Sequence, residues 1–326
     1  MPRTRRCFVC GADLLAPSER ILAYPCGRRR SFPIACGSCG LLLEPDADPA
    51  RCRAHLGVAL SGRAYSPDPE APYGLDLYTL RSAATRFGLG VRPLGPEDDE
   101  ALRHPHSQRA ARATLYGLAE GPEHPVSLGL LCRPQELDAV LTAVRAQVSW
   151  TDDIVILLDT STSTRAGTSS PGSVRVEARP MEGDYASQRN ALQERARHSW
   201  MLQLDADEAL DPVAGRLLPA LAALADAGDV LSVGLPRVNR VDGIPSDVYP
   251  DVQYRLNRSS VRYAGRVHER PALEGGWPRS FIALHGAIEH RLSRAHVLAR
   301  SRRYEALDPG RGRLEEEAAL LRPYRD

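Results

Sequence analysis

The largely apolar run Trp200-Met201-Leu202-Gln203-Leu204 ends abruptly in Asp205-Ala206-Asp207-Glu208, and no other stretch constrains the fold so tightly. Its length is that of a buried strand. Residues two apart in a strand project to the same face, so Asp205 and Asp207 are expected to leave the strand tip as a carboxylate pair. Such a pair suits a hard divalent cation. Mg²⁺ or Mn²⁺ prefers oxygen ligands, keeps several waters and bridges carboxylates to substrate phosphates. A bare Asp-x-Asp string also suits a solvated loop, so its context has to decide. Downstream, Asp211-Pro212 reads as an N-cap and first-turn pair opening a helix over residues 212–227, with Val213, Leu217, Leu218, Leu221 and Leu224 as its apolar stripe. The acids then lie where a strand crosses into a helix, the place at which open α/β sheets hold ligands.

The same alternation runs upstream. Residues 126–131 form a short apolar strand, and Pro134 opens a helix carrying Leu137, Val140, Leu141, Val144 and Val148 at helical spacing. Strands follow at 154–158 and 174–178, and a helix at 185–197 precedes the acid strand. Strands alternating with helices imply a mostly parallel α/β sheet flanked by helices. This domain is expected over residues 124–326, with residues 56–123 as a linker bearing short helices at 75–87 and 108–118.

Cys7-Phe8-Val9-Cys10-Gly11 and Cys36-Gly37-Ser38-Cys39-Gly40 are two copies of one pattern. Each pair makes a tight turn that aims both thiolates inward, and the glycine tolerates positive φ where the chain leaves the metal. Residues 1–55 are therefore expected to form a zinc ribbon with structural Zn²⁺ on Cys7, Cys10, Cys36 and Cys39. Cys26, Cys52 and Cys132 lack such spacing and read as small buried residues.

Lys+Arg at 42 against Asp+Glu at 41 leaves a net charge of +1, without the basic excess of a nucleic-acid binder. The cluster Arg28-Arg29-Arg30 reads as a solvated loop, and no nucleic-acid partner is expected. No apolar run approaches the roughly 18 residues of a membrane span, and no apolar segment follows Met1-Pro2-Arg3-Thr4-Arg5-Arg6, so a cytoplasmic location is expected. The arginine-rich residues 291–304 read as a solvated helix.

Residues 125–305 resemble family 2 glycosyltransferases of GT-A fold, especially the branch that includes bacterial lipopolysaccharide-core sugar transferases. The resemblance is carried by Asp152-Asp153-Ile154-Val155-Ile156-Leu157-Leu158-Asp159-Thr160, Asp184-Tyr185-Ala186-Ser187-Gln188-Arg189-Asn190, residues 200–210, Tyr254-Arg255-Leu256 and Gly265-Arg266-Val267-His268-Glu269. It implies an inverting, metal-dependent transfer of a sugar from a nucleoside-diphosphate sugar to the hydroxyl of a glycan, lipid-linked or small-molecule acceptor. Asp159 would then hold the nucleotide, Asp205 and Asp207 the ribose and the Mn²⁺ or Mg²⁺, and Arg189 and Asn190 the phosphates. Glu269 would serve as the base that takes the acceptor proton, with His268 on metal or diphosphate; alternatively both fix a loop. His285 is a further candidate, though a structural histidine suits it better.

Two places depart from the family pattern. Arg133-Pro134-Gln135-Glu136 stands where the branch usually has a Lys-Asn-Glu-like turn, and Thr160-Ser161-Thr162-Ser163-Thr164 follows Asp159 in place of a glycine and a later aspartate. A second reading therefore stands beside the enzyme: a degenerate transferase-like scaffold in a glycan or natural-product pathway. Residues 7–50 separately resemble the zinc ribbon ahead of some class I methyltransferases, which implies a docking or stabilising module for a protein partner or a membrane surface.

Overall fold

A strand covered on both faces must be apolar at every position, and the centre of the molecule is built this way. The computed structural model describes residues 6–162, 174–310 and 314–324. In it, strand Val126–Cys132 (β1) is followed by helix Leu137–Val144 (α1), strands Ile154–Leu158 (β2) and Val174–Ala178 (β3), helix Tyr185–Gln193 (α2) and strand Trp200–Asp205 (β4). Every residue of β2 is buried. Strand β1 pairs in parallel with β2 on one side and β4 on the other, and β3 joins β2 in parallel. The chain thus runs outward from β1 to β3, then returns to lay β4 on the other edge of β1. Open α/β sheets hold ligands at such a reversal, beyond the carboxyl ends of the strands. Leu131 of β1 stands opposite Asp205 of β4, so the reversal and the acid tip coincide.

Beyond β4 come strand Glu208–Leu210 (β5), helix Leu218–Ala227 (α3), strands Ser232–Leu235 (β6), Arg237–Val241 (β7), Gln253–Arg258 (β8), Ser280–Ile282 (β9) and Ile288–Leu292 (β10), and helix Arg294–Leu307 (α4). The main sheet has the order β3-β2-β1-β4-β8-β6-β9, with β8 antiparallel to β4 and β6. A smaller sheet, built on β5, β10 and β7, starts directly after the acid tip. The expected mixed, mostly parallel sheet flanked by helices is present.

Alternation along β2 builds two cores. Ile154, Ile156 and Leu158 pack with Val140, Val144, Leu221 and Leu224 on one face, and Val155 and Leu157 with Leu192 and Met201 on the other. Burying each of these side chains stabilises the fold by roughly 1.5–3 kcal/mol. Helix α2 sits so close to β1 that a Cβ on Gly129 would lie 2.7 Å from Leu192 Cδ2. Only glycine fits there.

Several local expectations change. The helix expected over 212–227 is two helices, Pro212–Gly215 and α3, because Pro219 has no N–H to continue the ladder and restarts the helix in its first turn. Helix α2 ends at Gln193 instead of 197. Residues 108–118 are not helical: Ala113–Gly117 is a strand, with Ala113 and Leu115 buried and Thr114 and Tyr116 on the other face. This period of two outweighs the helical reading, and Tyr116 packs across Gly90 of the neighbouring strand. The short helix expected at 75–87 is present as Leu77–Thr85, but it is buried along its whole length and packed in the same core as the cysteine knuckles. Cys52 and Cys132 are buried as expected, but Cys26 is exposed. Among the described residues no helix is long and apolar enough to cross a membrane.

Candidate functional site

A cavity of about 200 Å³ opens at the carboxyl ends of β1, β2 and β4, and Asp159, Arg189, Asp205, Asp207, His268 and Glu269 all line it. The sequence-predicted residues from four separate segments thus converge. Their partners, however, divide them into two groups.

Asp205, at the tip of β4, accepts on both oxygens from Arg189 Nη2, at 2.8 and 3.0 Å, and on Oδ2 from Arg255 Nη2 at 3.0 Å. Arg189 projects from α2, whose first turn is set by Asp184 accepting from Ser187 N at 2.9 Å. Its side chain is 1% exposed, and its Nε donates to Glu269 Oε1. Arg255 approaches the same Glu269 at 3.9 Å and Glu208 at 3.7 Å. Arg237 adds a bond to Glu208 at 2.7 Å and a forked contact to Asp251 Oδ2 at 3.0 and 2.7 Å. Guanidiniums and carboxylates therefore alternate beneath the cavity. Burial works against the charge on Arg189, but Asp205 and Glu269 hold its pKa above the ordinary value. On Asp205 burial outweighs the pull of Arg189 and raises the pKa to about 8, while the bonds that both its oxygens accept from Arg189 favour the ionised form.

Asp207 makes its side-chain contact to a histidine where Asp205 is held by arginines. Its Oδ2 lies 3.3 Å from Nε2 of His290, a 3% exposed residue of β10. Asn239, on the adjacent β7, fixes that imidazole: its Nδ2 donates to Asp251 Oδ2 at 2.7 Å and to the Val248 carbonyl at 3.4 Å, both acceptors only. Its Oδ1 must therefore be the acceptor for His290 Nδ1 at 2.7 Å. This network assigns the Nδ1–H tautomer to neutral His290 and leaves the Nε2 lone pair beside Asp207. Burial disfavours ionisation of Asp207, but when His290 is protonated its Nε2–H donates to Asp207, and that bond with the charges of His290 and His296 holds the Asp207 pKa below the ordinary 3.8.

The other expected residues fall as follows. Asp159 Oδ1 accepts from Met181 N at 2.9 Å at the cavity edge. His268, in the left-handed region with φ of 51°, lies edge-on to Tyr304, ring centroids 5.1 Å apart. Asn190 does not reach the cavity: its amide clamps the backbone of Tyr263, donating to the carbonyl at 3.0 Å and accepting from the N–H at 2.6 Å. His285 lines a different groove, with Trp150 and Leu217. Of the threonine- and serine-rich run after Asp159, Ser163 and Thr164 lie outside the described residues. Helix α4 is not merely a solvated helix, because His296, Arg300 and Tyr304, four residues apart in succession, present one face to the cavity.

His290, Asn239 and Asp251 were not among the expected residues. One signal was available: Ile288-Glu289-His290-Arg291-Leu292 places His290 between two apolar residues on the buried face of a strand, where a polar side chain needs a partner. Gln253, Arg255 and Asn257 make a similar polar face on β8.

The cysteine centre is separate. All four sulfurs lie within 4.8 Å of one another, with Cys7 to Cys39 and Cys10 to Cys36 at 3.6 Å. A tetrahedral zinc with Zn–S bonds of ~2.3 Å sets its sulfurs ~3.8 Å apart, so the four residues fit that ion. Both knuckles close alike: Gly11 N bonds Cys7 O at 2.8 Å, Gly40 N bonds Cys36 O at 2.9 Å, and both glycines have φ of 83°. Between the knuckles Arg28 pairs with Glu70 and Arg30 with Glu44.

Neither a protein-family model nor a curated protein sequence matches this chain. Solved structures of S. aureus TarS resemble it weakly. TarS residues 1–349 in complex with UDP-GlcNAc gives a TM-score of 0.36 at 15% identity, covering 51% of this chain and 58% of that one. The complex with UDP gives 0.35 at 14%, covering 56% and 66%, and a further TarS structure 0.35 at 10%, covering 60% and 42%. This chain thus spans between 42% and 66% of those chains, and a likeness of this size adds nothing to what its own geometry shows.

Proposed function

We propose that the chain is a GT-A-type, divalent-metal-dependent inverting glycosyltransferase, which moves a sugar from a nucleoside-diphosphate sugar to an acceptor hydroxyl. The observation that supports it most is the Asp207–His290 pair, two lone-pair donors 3.3 Å apart at the point where the strand order reverses. Neighbouring ligands of one Mn²⁺ or Mg²⁺ stand about 3 Å apart, given bonds of ~2.1 Å, so this pair fits such an ion. Asp205 fits it poorly, since Arg189 engages both its oxygens. In this reading Asp205 is a brace and the ligand set shifts from Asp205 and Asp207 to Asp207 and His290. A cation there would supply charge to offset the negative charge gathering on the departing nucleoside diphosphate.

The remaining roles belong to the chain's own residues. Asp159 holds the nucleoside at the end of β2, Arg189 sets the orientation of Asp205 and Glu269, and Glu269 takes the proton from the acceptor hydroxyl. Tyr304 and Arg300 of α4 narrow the opening and restrict water. The domain division and a cytoplasmic location remain part of this proposal. Thermal unfolding with UDP, GDP and dTDP, each with and without Mn²⁺, tests it: at least one should stabilise the chain only with Mn²⁺, and not in Asp207→Ala.

One observation favours the scaffold reading. Glu269 is ion-paired with Arg189 and flanked by Arg255, so the carboxylate is already engaged where a general base has to meet the acceptor hydroxyl. Metal-dependent nucleotide binding without any sugar transfer or hydrolysis would select that reading.

A further inference from the structure

The cysteine centre and the cavity are far apart in sequence, yet one loop touches both. Arg6, directly before Cys7, donates through Nη2 to Asp247 Oδ1 at 2.7 Å and through Nη1 to the carbonyls of Tyr249 at 3.3 Å and of Gly11 at 3.2 Å. One guanidinium therefore ties the closing residue of the first knuckle to loop 246–252. Gly11 also faces the Tyr249 ring so closely that a Cβ on it would lie 2.9 Å from Tyr249 Cε1. Arg322 makes a second hold, donating through Nε to Asp247 Oδ2 at 2.8 Å and accepting from Asp247 N at 2.8 Å.

The inner side of the same loop is cavity wall, contributing Val248 and Asp251. It is bonded to β7 through two residues: Arg237 N donates to Pro250 O at 2.9 Å and its side chain to Asp251 Oδ2, while Ser246 N donates to Asn239 O at 2.8 Å and Asn239 Nδ2 reaches Val248 O and Asp251 Oδ2. Those two bonds orient the amide whose oxygen holds His290. An unbroken series of contacts thus runs from the first knuckle through Arg6 and the loop to Asn239, His290 and Asp207.

We propose that the cysteine centre is a positioning element of the cavity: through Arg6 and loop 246–252 it sets the Asn239 amide and so holds His290 with its Nε2 lone pair toward Asp207. The geometry stands by itself, and only its consequence for ligand affinity rests on the function proposed above. If loop 246–252 drifts from the knuckle, Asn239 loses the acceptors that fix its orientation, and the imidazole is free to change tautomer. Arg6 acts through other residues and is a positioning residue.

Cys10→Ser would test the centre most bluntly but risks unfolding the amino-terminal lobe. Arg6→Ala and Tyr249→Leu leave the four cysteines intact, and their zinc content should stay equal to that of the wild type. The readout is the ¹⁵N imidazole spectrum of His290, assigned through His290→Gln, without added Mn²⁺. Wild type should show the Nδ1–H tautomer alone, and Arg6→Ala a mixture of tautomers, with Arg6→Lys partly restored by its contact to Asp247. The dissociation constant for Mn²⁺ should rise about fivefold in Arg6→Ala, less than the roughly 10- to 100-fold that follows loss of a direct partner of a ligand. A His290 signal unchanged in both Arg6→Ala and Tyr249→Leu, with zinc in place, overturns the proposal. A His290 signal that changes in a protein binding no Mn²⁺ at all supports the positioning role and refutes the proposed function instead.

Discussion

The cysteine centre and the acid tip were both announced by short strings, and they behave differently. At the knuckles the string itself carries the geometry: each Cys-x-x-Cys-Gly closes its own turn, and the two turns repeat each other bond for bond. At the acid tip the string gives only position. Asp205 and Asp207 leave one strand two residues apart, but Arg189 and Arg255 claim the first and His290 the second, partners brought from other segments. A motif that satisfies its own backbone can be read locally, whereas the role of an ionisable side chain is set by whatever the fold places opposite it.

Breaking the knuckle should have the largest effect. Cys36→Ser should abolish stoichiometric zinc binding and cost on the order of 5 kcal/mol of stability, measured by metal analysis and chemical unfolding, since structural zinc couples its binding energy to folding. Next comes the ion network. Arg189→Ala removes the direct partner of Glu269 and leaves Asp205 to Arg255 alone, and should destabilise the chain by about 3–5 kcal/mol in urea unfolding. A loss below about 1 kcal/mol would mean that the network is not as dry as its geometry implies. Loss of Asp207 should separate stability from binding: Asp207→Ala should unfold within about 1 kcal/mol of wild type and lose nucleotide binding, measured by calorimetry.

The smallest effect concerns pH. Asp207 has a folded pKa below its ordinary 3.8, so the unfolded chain binds the proton more readily. Its contribution to stability is complete above the ordinary value and is lost as pH falls through the depressed one. Acid unfolding curves of wild type and Asp207→Asn should therefore converge below that window and separate above it.

Four strands of the main sheet were legible, β1, β2 and β4 because they are bounded, largely apolar runs whose burial needs no knowledge of their neighbours, and β3 from its alternating valines. Residues 113–117 were not, because Ala113 and Leu115 suit either period and only pairing with strand Leu89–Arg92 decides between them. Asn190 looked like a phosphate ligand from its neighbour Arg189, yet adjacent helix residues point about 100° apart, and its amide faces Tyr263. His290 lies 83 residues from Asp207, and nothing in either segment names the other.

The account depends on which atoms receive the cation. Mn²⁺ binding followed by electron paramagnetic resonance in wild type, Asp207→Ala, His290→Ala and Asp205→Asn tests this most directly. One tight site should be present in wild type, absent in Asp207→Ala, at least tenfold weaker in His290→Ala and retained in Asp205→Asn. A site that survives both Asp207→Ala and His290→Ala, or that disappears only with Asp205→Asn, would contradict the assignment of the metal to Asp207 and His290.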